Sequence, residues 1–388
     1  MARFGDGLAV GDDLVAAAEA AVGRAMAALG GRAPDLLCVF VSSEDPEMVA
    51  KAGSRAMELA GAGTAVGCSA GGVIADGHGV EATSAVAVWV AELPEVRLQG
   101  FRLTAARGGG GLLIGGVPRR RPDDRVGVLL ADAHSFPISP FVEQSTDVLD
   151  GLPLVGGLAS GLGGPGSTRL FVDGRVVDGG AVGVLLGGPV AVRTLVSQGC
   201  RPIGPTMTVT RSDGNVLREL AGMNAYRKLE EIVRALPPDE QTLAMHGLHI
   251  GISIDEYAEE HEQGDFLIRA VLGADPRSGA VAVGSPIEVG QTVRFQVGDA
   301  AAAHEDLRQL VARFRADGPV DGALLFSCNG RGAGLFPQAD HDVLAVREGL
   351  GITGVAGFFA AGEIGPVAGR NHLHGFTASV LAFDRGSG

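Results

Sequence analysis

Residues 66–72 read VGCSAGG, and related glycine turns return as VGGLASG at 155–161 and VAGFFAAG at 355–362. Each turn follows an apolar run and then a helical segment, and each precedes a closing apolar run. The first runs begin at residues 36, 126 and 323, and the closing runs begin at 84, 180 and 377. A fixed order at similar offsets indicates an internal repeat. The pattern therefore predicts a strand–helix–strand–strand unit that occurs three times.

The closing runs are apolar at successive positions, as expected for strands in sheets that are covered on both faces. We therefore expect an α/β to α+β fold with two layered domains, whose mixed β-sheets are covered by helices and built from these recurring units. Other material separates the second unit from the third. Within it, Pro237 and Pro238 end a helical segment at 225–236 and are the strongest signal for a domain boundary.

Composition excludes several classes of function. The 388 residues include 45 acidic and 31 basic side chains, a net charge of -14, whereas a nucleic-acid binder needs a basic surface. The four cysteines, Cys38, Cys68, Cys200 and Cys328, lack CxxC spacing and indicate reduced thiols. No apolar run reaches the roughly 20 residues that span a bilayer. We expect a cytoplasmic protein with no nucleic-acid or membrane partner.

The most informative segment for function is LLFSCNGRG at 324–332. An apolar strand ends at Cys328 and Asn329, and a Gly-Arg-Gly turn follows. Loops after strands in α/β units are common binding sites. Arg331 offers a bidentate donor for a carboxylate or phosphate. Alternatively, the turn is structural and Arg331 pairs with Glu363 or with an aspartate.

Glu363 lies in a glycine-bracketed turn, and its charge is opposite to that of Arg331. Two such groups at one place suit a zwitterion such as an amino acid. We therefore predict a ligand pocket bounded by Cys328, Asn329, Arg331, Glu363 and His374.

Two other segments are candidates for closing this pocket from the other domain. One is QGCRPIGP at 198–205, which contains Gln198 and Arg201; the alternative there is a rigid bend. The other is the first glycine turn, with Cys68 and Ser69.

Catalysis has one weak candidate, Cys328. A nucleophilic cysteine needs a lowered pKa and a base, and the nearby candidates in sequence are His341, His372 and His374. The alternative is an unreactive cysteine that lines a pocket, so no catalytic residue is assigned. His372 and His374 could ligate a metal together with residues of the stretch Asp340-His341-Asp342, but spacing defines no third and fourth ligands. We expect neither a metal nor a cofactor.

Three blocks carry a family resemblance: VGCSAGGVI at 66–74, FSCNGRGAGLF at 326–336 and GFFAAGEIGPVAGRNHLHGFTAS at 357–379. They resemble the FIST family, and further matches extend the resemblance over about residues 33–384. The resemblance implies an N-terminal FIST domain at 33–224 and a C-terminal FIST domain at 225–384.

The resemblance also implies a function. FIST modules are often attached to histidine kinases, chemotaxis receptors or cyclic-dinucleotide enzymes, and a small ligand such as an amino acid has been inferred for them. Because the family blocks run nearly to the end of the chain, we expect a small-ligand sensor that signals through a separate protein. The alternatives are a cysteine-dependent enzyme that uses Cys328 and a protein-interaction module without a ligand.

Overall fold

A computed structural model describes residues 2–108, 111–161, 164–256 and 264–385. The chain forms two compact units. Unit 1 comprises Met1–Val196, Leu307–Leu373 and Thr377–Gly388, and unit 2 comprises Ser197–Asp306 and His374–Phe376. Among the described residues, no helix is long and apolar enough to cross a membrane.

The first copy of the repeat lies in unit 1. Its elements are β1 (Arg3–Val10), α1 (Leu14–Ala27), β2 (Leu36–Ser42), α2 (Pro46–Ala60), β3 (Thr64–Ser69), β4 (Gly72–Ala75), β5 (His78–Glu81) and β6 (Ala85–Glu92). Local sequence sets the ends of α2. The Asp45 side chain accepts hydrogen bonds from the first-turn N–H groups, Pro46 is the first helical residue, and Gly61 ends the helix at φ 57°.

The second copy has the same order but starts with a hairpin in place of a strand and a helix. Its elements are β7 (Arg97–Gly108), β8 (Gly111–Gly115), β9 (Asp124–Asp132), α3 (Ile138–Val148), β10 (Leu154–Ala159), β11 (Leu170–Val172), β12 (Arg175–Val177) and β13 (Ala181–Gly187).

After β14 (Val192–Gln198), unit 2 interrupts the third copy. Its elements are β15 (Cys200–Pro202), β16 (Met207–Asp213), β17 (Val216–Leu220), β18 (Met223–Asn224), α4 (Ala225–Ala235), α5 (Pro238–His246), β19 (Leu248–Ser253), β20 (Phe266–Asp275), β21 (Ala280–Val283) and β22 (Thr292–Gly298). The sheet order is β15-β22-β16-β17-β21-β20-β19, and β22 also pairs with β19. Six antiparallel strands therefore close into a ring.

The third copy then continues. Its elements are α6 (Ala300–Asp317), β23 (Val320–Cys328), α7 (Gly332–Leu335), α8 (His341–Leu350), β24 (Gly354–Ala360), β25 (Glu363–Val367), β26 (Arg370–His374) and β27 (Thr377–Asp384). The repeated order, the mixed sheets and the helices confirm the predicted fold class. The predicted unit is incomplete in two respects, because each copy begins with two further elements and contains a hairpin before its closing strand.

That hairpin joins the copies to one another. Each copy has a central strand, which is β2, β9 or β23. It pairs in parallel with the strand after the helix and antiparallel with the closing strand. The hairpin leaves its own sheet: β4–β5 extends the sheet at β24, β11–β12 extends the sheet at β3, and β25–β26 extends the sheet at β10. Three sheets are thereby interlocked in a cycle.

The three sheets of unit 1 share one core between their inner faces. This core includes Trp89, whose Nε1 donates to the Gly354 carbonyl at 3.2 Å, and Phe358. The outer faces form three further cores that include residues of the covering helices. Sheets buried on both faces account for the apolar closing strands in the sequence.

The compact units divide the chain at positions other than the boundary between the family domains predicted at 33–224 and 225–384. Pro237 and Pro238 lie inside unit 2, at the junction of α4 and α5. The chain passes between units at Val196/Ser197, Asp306/Leu307, Leu373/His374 and Phe376/Thr377. The reason is that β14 pairs with β27 at the other end of the chain. Because the compact units are defined by contacts in space, each unit combines segments that are distant in sequence.

The segments predicted as glycine turns lie between strands in all three copies, but their first glycines, Gly67, Gly156 and Gly357, lie inside β3, β10 and β24. Gly67, Gly156 and Gly357 occupy the same register, opposite the middle of β2, β9 and β23 respectively. A Cβ atom at these positions would lie 2.0, 2.0 and 1.6 Å from a carbonyl oxygen of that strand. Glycine is required here because the neighbouring backbone leaves no room for a side chain.

Candidate functional site

The Arg331 side chain is fully buried and forms a bidentate ion pair with Asp342. Its Nε lies 2.7 Å from Asp342 Oδ2 and its Nη2 lies 2.9 Å from Oδ1, while Ser327 Oγ donates to Oδ2 at 2.6 Å. Burial alone would raise the pKa of Asp342, but the Arg331 charge and these hydrogen bonds hold it well below its usual range. The charge of Arg331 is thus matched by an aspartate.

A tight turn places this arginine. The N–H of Arg331 donates to the Cys328 carbonyl at 2.8 Å, which directs the chain back toward the start of α8. There His341 stacks on Phe336 at 3.5 Å between ring centroids, and its Nδ1 lies 2.9 Å from Asp342 Oδ1. His341, one of the three histidines considered as a base for Cys328, therefore contacts the ion pair of Arg331 and Asp342.

Glu363 is the second fully buried ionisable side chain of this region. Its Oε2 accepts hydrogen bonds from Thr377 N at 3.1 Å and Thr377 Oγ1 at 2.8 Å. Oε1 is buried without a hydrogen bond of good geometry. Burial raises the pKa of Glu363 to about 8, although Thr377, the Cys328 thiol and the Arg331 charge oppose the rise. The carboxyl is therefore mostly protonated at neutral pH.

Cys328 ends β23 and is partly exposed. Its thiol interacts with the Glu363 carboxyl and stabilises the charged form. Asn329 is exposed, and its N–H donates to the Ala360 carbonyl at 2.9 Å. Unit 1 thus brings together the thiol of Cys328, the carboxyl of Glu363 and the Arg331 ion pair where β23 and β24 end.

Cys68 and Ser69, which the sequence suggested as contributions from another domain, belong to the same unit as Cys328. Cys68 is fully buried, and burial raises the pKa of its thiol. Ser69 Oγ accepts a hydrogen bond from Arg169 N at 3.0 Å. Both residues therefore serve the packing of β3 against its neighbours.

Gln198, Arg201 and His374 belong to unit 2. Gln198 Nε2 donates to the Phe266 carbonyl at 2.8 Å, and its Oε1 is buried without a hydrogen bond. Arg201 pairs with Asp299 at 3.1 Å and with Glu240 at 3.2 Å. His374 is buried.

The sequence pattern does not assign Asp342 or Thr377 to the ligand pocket. It allows an aspartate as the partner of Arg331 but does not identify Asp342, which lies in the first turn of α8, where an acidic residue is ordinary. Thr377 begins β27 and belongs to an apolar strand in the sequence pattern.

Glu363→Gln is expected to flatten the pH dependence of stability. The folded state keeps a proton on Glu363 up to pH about 8, whereas an unfolded glutamate loses it near pH 4.5. Protonated Glu363 therefore stabilises the folded state fully at pH values below the unfolded pKa. This stabilisation is lost as the pH rises to the folded pKa, by up to about 1.4 kcal/mol per pH unit. Urea unfolding at several pH values measures this slope. The exposed Glu348→Gln is the control, and an unchanged slope in Glu363→Gln contradicts the assignment.

Three interlocked strand–helix–strand copies, with a thiol, a buried carboxyl and a buried ion pair at the strand ends, define a two-unit α+β protein with a candidate binding site in unit 1. Comparison with known protein families then shows the family to which the chain belongs. The FIST N domain matches residues 35–223 and the FIST C domain matches residues 225–366. The chain belongs to the FIST family, which is linked to sensory signal transduction.

Similar proteins occur in mycobacteria. The chain is 45% identical over 383 residues to "Uncharacterized protein Rv0628c" of Mycobacterium tuberculosis (strain ATCC 25618 / H37Rv), with 98% of this chain and 99% of the relative covered. It is 44% identical over 383 residues to "Uncharacterized protein Mb0898c" of Mycobacterium bovis (strain ATCC BAA-935 / AF2122/97), with 98% of each covered.

Proposed function

We propose that this FIST protein is a cytoplasmic small-ligand sensor, and that its ligand binds in unit 1 where β23 and β24 end. One observation carries the proposal: Oε1 of the fully buried Glu363 lacks a good hydrogen bond beside a partly exposed thiol. An unsatisfied buried polar group costs about 1–3 kcal/mol, and native proteins contain few of them. A ligand that hydrogen-bonds to this carboxyl would remove the cost.

The charges of the cluster restrict the ligand. Arg331 already binds both oxygens of Asp342, so it is a poor receptor for a ligand carboxylate. Glu363, when protonated, can both donate and accept a hydrogen bond. The cluster therefore suits an uncharged polar group, such as a carbonyl or amide, on a small molecule. An amino acid remains a candidate through a group other than its charged carboxylate.

The position of Glu363 suggests how binding could be transmitted. It begins β25, where it pairs with Gly157 of the second copy, and it accepts hydrogen bonds from Thr377 at the start of β27. A ligand on this carboxyl would thus act on a hairpin that joins two copies of the repeat. We propose that a separate signalling protein reads the resulting change.

A thermal-shift screen of uncharged and zwitterionic metabolites tests the sensor. A ligand at 100 times its Kd stabilises the folded state by about 2.7 kcal/mol, so at least one compound should raise the Tm by a few degrees. Glu363→Leu should weaken this shift because leucine removes the buried hydrogen-bonding group, and Glu348→Leu should preserve it. If no compound shifts the wild-type protein, or if Glu363→Leu responds equally to every hit, the proposed site is wrong.

A further inference from the structure

A groove on the surface of unit 2 lies between α4 and the segment that leads into β16. It encloses about 440 Å³, and all the residues that line it belong to unit 2. Small-molecule sites commonly enclose about 300–1,000 Å³. The groove therefore has the size of a ligand site, and it contains no residue of the candidate site in unit 1.

The floor and walls of the groove are mainly apolar. Met207 and Ile232 are buried beneath it, and Leu236 and the exposed Ala235 line the end nearest to the last turn of α4. Gly204 forms part of the opposite wall at φ 63°, and a Cβ atom there would lie 2.8 Å from the side chain of Ile232. Small residues at these positions leave room for an apolar chain to lie on the floor.

Lys228 brings a positive charge to this apolar surface. Its side chain is 25% exposed, and among the described residues its one polar contact is with Glu231 Oε2, at 3.4 Å. Arg97 is exposed to a similar extent, 23%, but it pairs closely with two carboxylates, Asp123 at 2.7 Å and Asp124 at 2.9 Å. Because an ammonium group has three N–H donors, Lys228 can also bind an acceptor in the groove.

We propose that this groove binds a small amphipathic carboxylate, whose apolar chain lies on Met207 and Ile232 and whose carboxylate pairs with Lys228. Burial of the chain supplies affinity, and the charge-assisted hydrogen bond selects the head group. Glu231 lies beside Lys228 and repels negative charge, so a head group with one charge is favoured over a dianionic phosphate.

An extended peptide fits the groove less well. Peptides that bind along a strand need a free sheet edge. The strand at the groove, β16, already has β22 on one side and β17 on the other. The occupant must therefore bind through its apolar surface and its charge, as a small molecule does.

Calorimetry with octanoate and 1-octanol tests the ligand class. Octanoate should bind the wild-type protein at one site per chain, and 1-octanol should bind at least about tenfold more weakly because it lacks the charge that pairs with Lys228. Lys228→Met keeps the length of the side chain but removes its charge, so it should lower the affinity for octanoate to that for 1-octanol. Arg227→Met removes a charge from the adjacent position of α4, outside the groove lining, and should bind as the wild type does. Failure of octanoate to bind, equal binding of the two compounds, or undiminished binding by Lys228→Met overturns the proposal.

Two further measurements locate the site. Ala235→Leu places a larger side chain in the groove at an exposed helical position, so it should weaken octanoate binding at least about tenfold without loss of fold. In the wild type, octanoate should slow acetylation of Lys228 by acetic anhydride but not that of Lys51, the other lysine of the chain, which is exposed on α2. Full binding by Ala235→Leu, or equal acetylation rates of Lys228 with and without octanoate, would show that the ligand binds elsewhere and that the proposal is wrong.

Discussion

Arg331→Ala is expected to destabilise unit 1 by about 3–5 kcal/mol. The substitution leaves the Asp342 carboxylate buried without its bidentate partner, and that carboxylate is only 3% exposed. Little loss of stability is expected instead if Arg331 serves only a ligand. Urea unfolding can be followed by the fluorescence of Trp89, which is the single tryptophan and lies in the shared core of unit 1.

A double variant separates the ion pair from general packing. Arg331→Met with Asp342→Leu removes both charges, so it should be more stable than Arg331→Ala despite carrying two changes. Asp342→Asn should also destabilise, because it leaves the Arg331 charge unmatched. Wild-type stability in Arg331→Ala would show that the pair is not the reason for burial of this arginine.

Gly357→Ala should destabilise unit 1 by at least about 3 kcal/mol, the upper end for an overpacked core. The new Cβ would lie 1.6 Å from the Leu325 carbonyl oxygen, and backbone cannot move aside as a flexible side chain can. The paired parallel strands β23 and β24 would have to separate, and this would disturb the candidate site at their ends. The change in the free energy of unfolding measures the effect.

Gly23→Ala is the matched control. Gly23 lies within α1, and a Cβ there would meet nothing within 4 Å, so alanine should stabilise the helix by about 0.5–1 kcal/mol. Gly67→Ala and Gly156→Ala should behave like Gly357→Ala, because each occupies the same register in its copy. If one of the three tolerates alanine, the copies are not equivalent at this position.

Features controlled by near neighbours in the chain were predictable. The cap at Asp45, the start of α2 at Pro46 and the strand-to-strand glycine turns all followed from short patterns. The threefold recurrence was also visible, because each copy repeats the same patterns in the same order.

The candidate site was predictable in part. A cysteine at a strand end, followed by a Gly-Arg-Gly turn, identified Cys328 and Arg331, and the next glycine turn identified Glu363. An aspartate was one of the two charge partners that the sequence allowed for Arg331, but Asp342 was not identifiable, because it lies in the first turn of α8 and resembles any acidic first-turn residue. The protonation of Glu363 depends on burial, which sequence does not report.

The sequence by itself determined the repeated strand–helix–strand order, the glycine-rich segments between strands and the segment that carries the site, since each depends on residues a few positions apart. Only the tertiary structure decided that the hairpins exchange between sheets, that unit 2 interrupts the third copy and that Arg331 pairs with Asp342. These features depend on which distant surfaces pack together. Burial then decides which charges must be matched and which carboxyl keeps its proton.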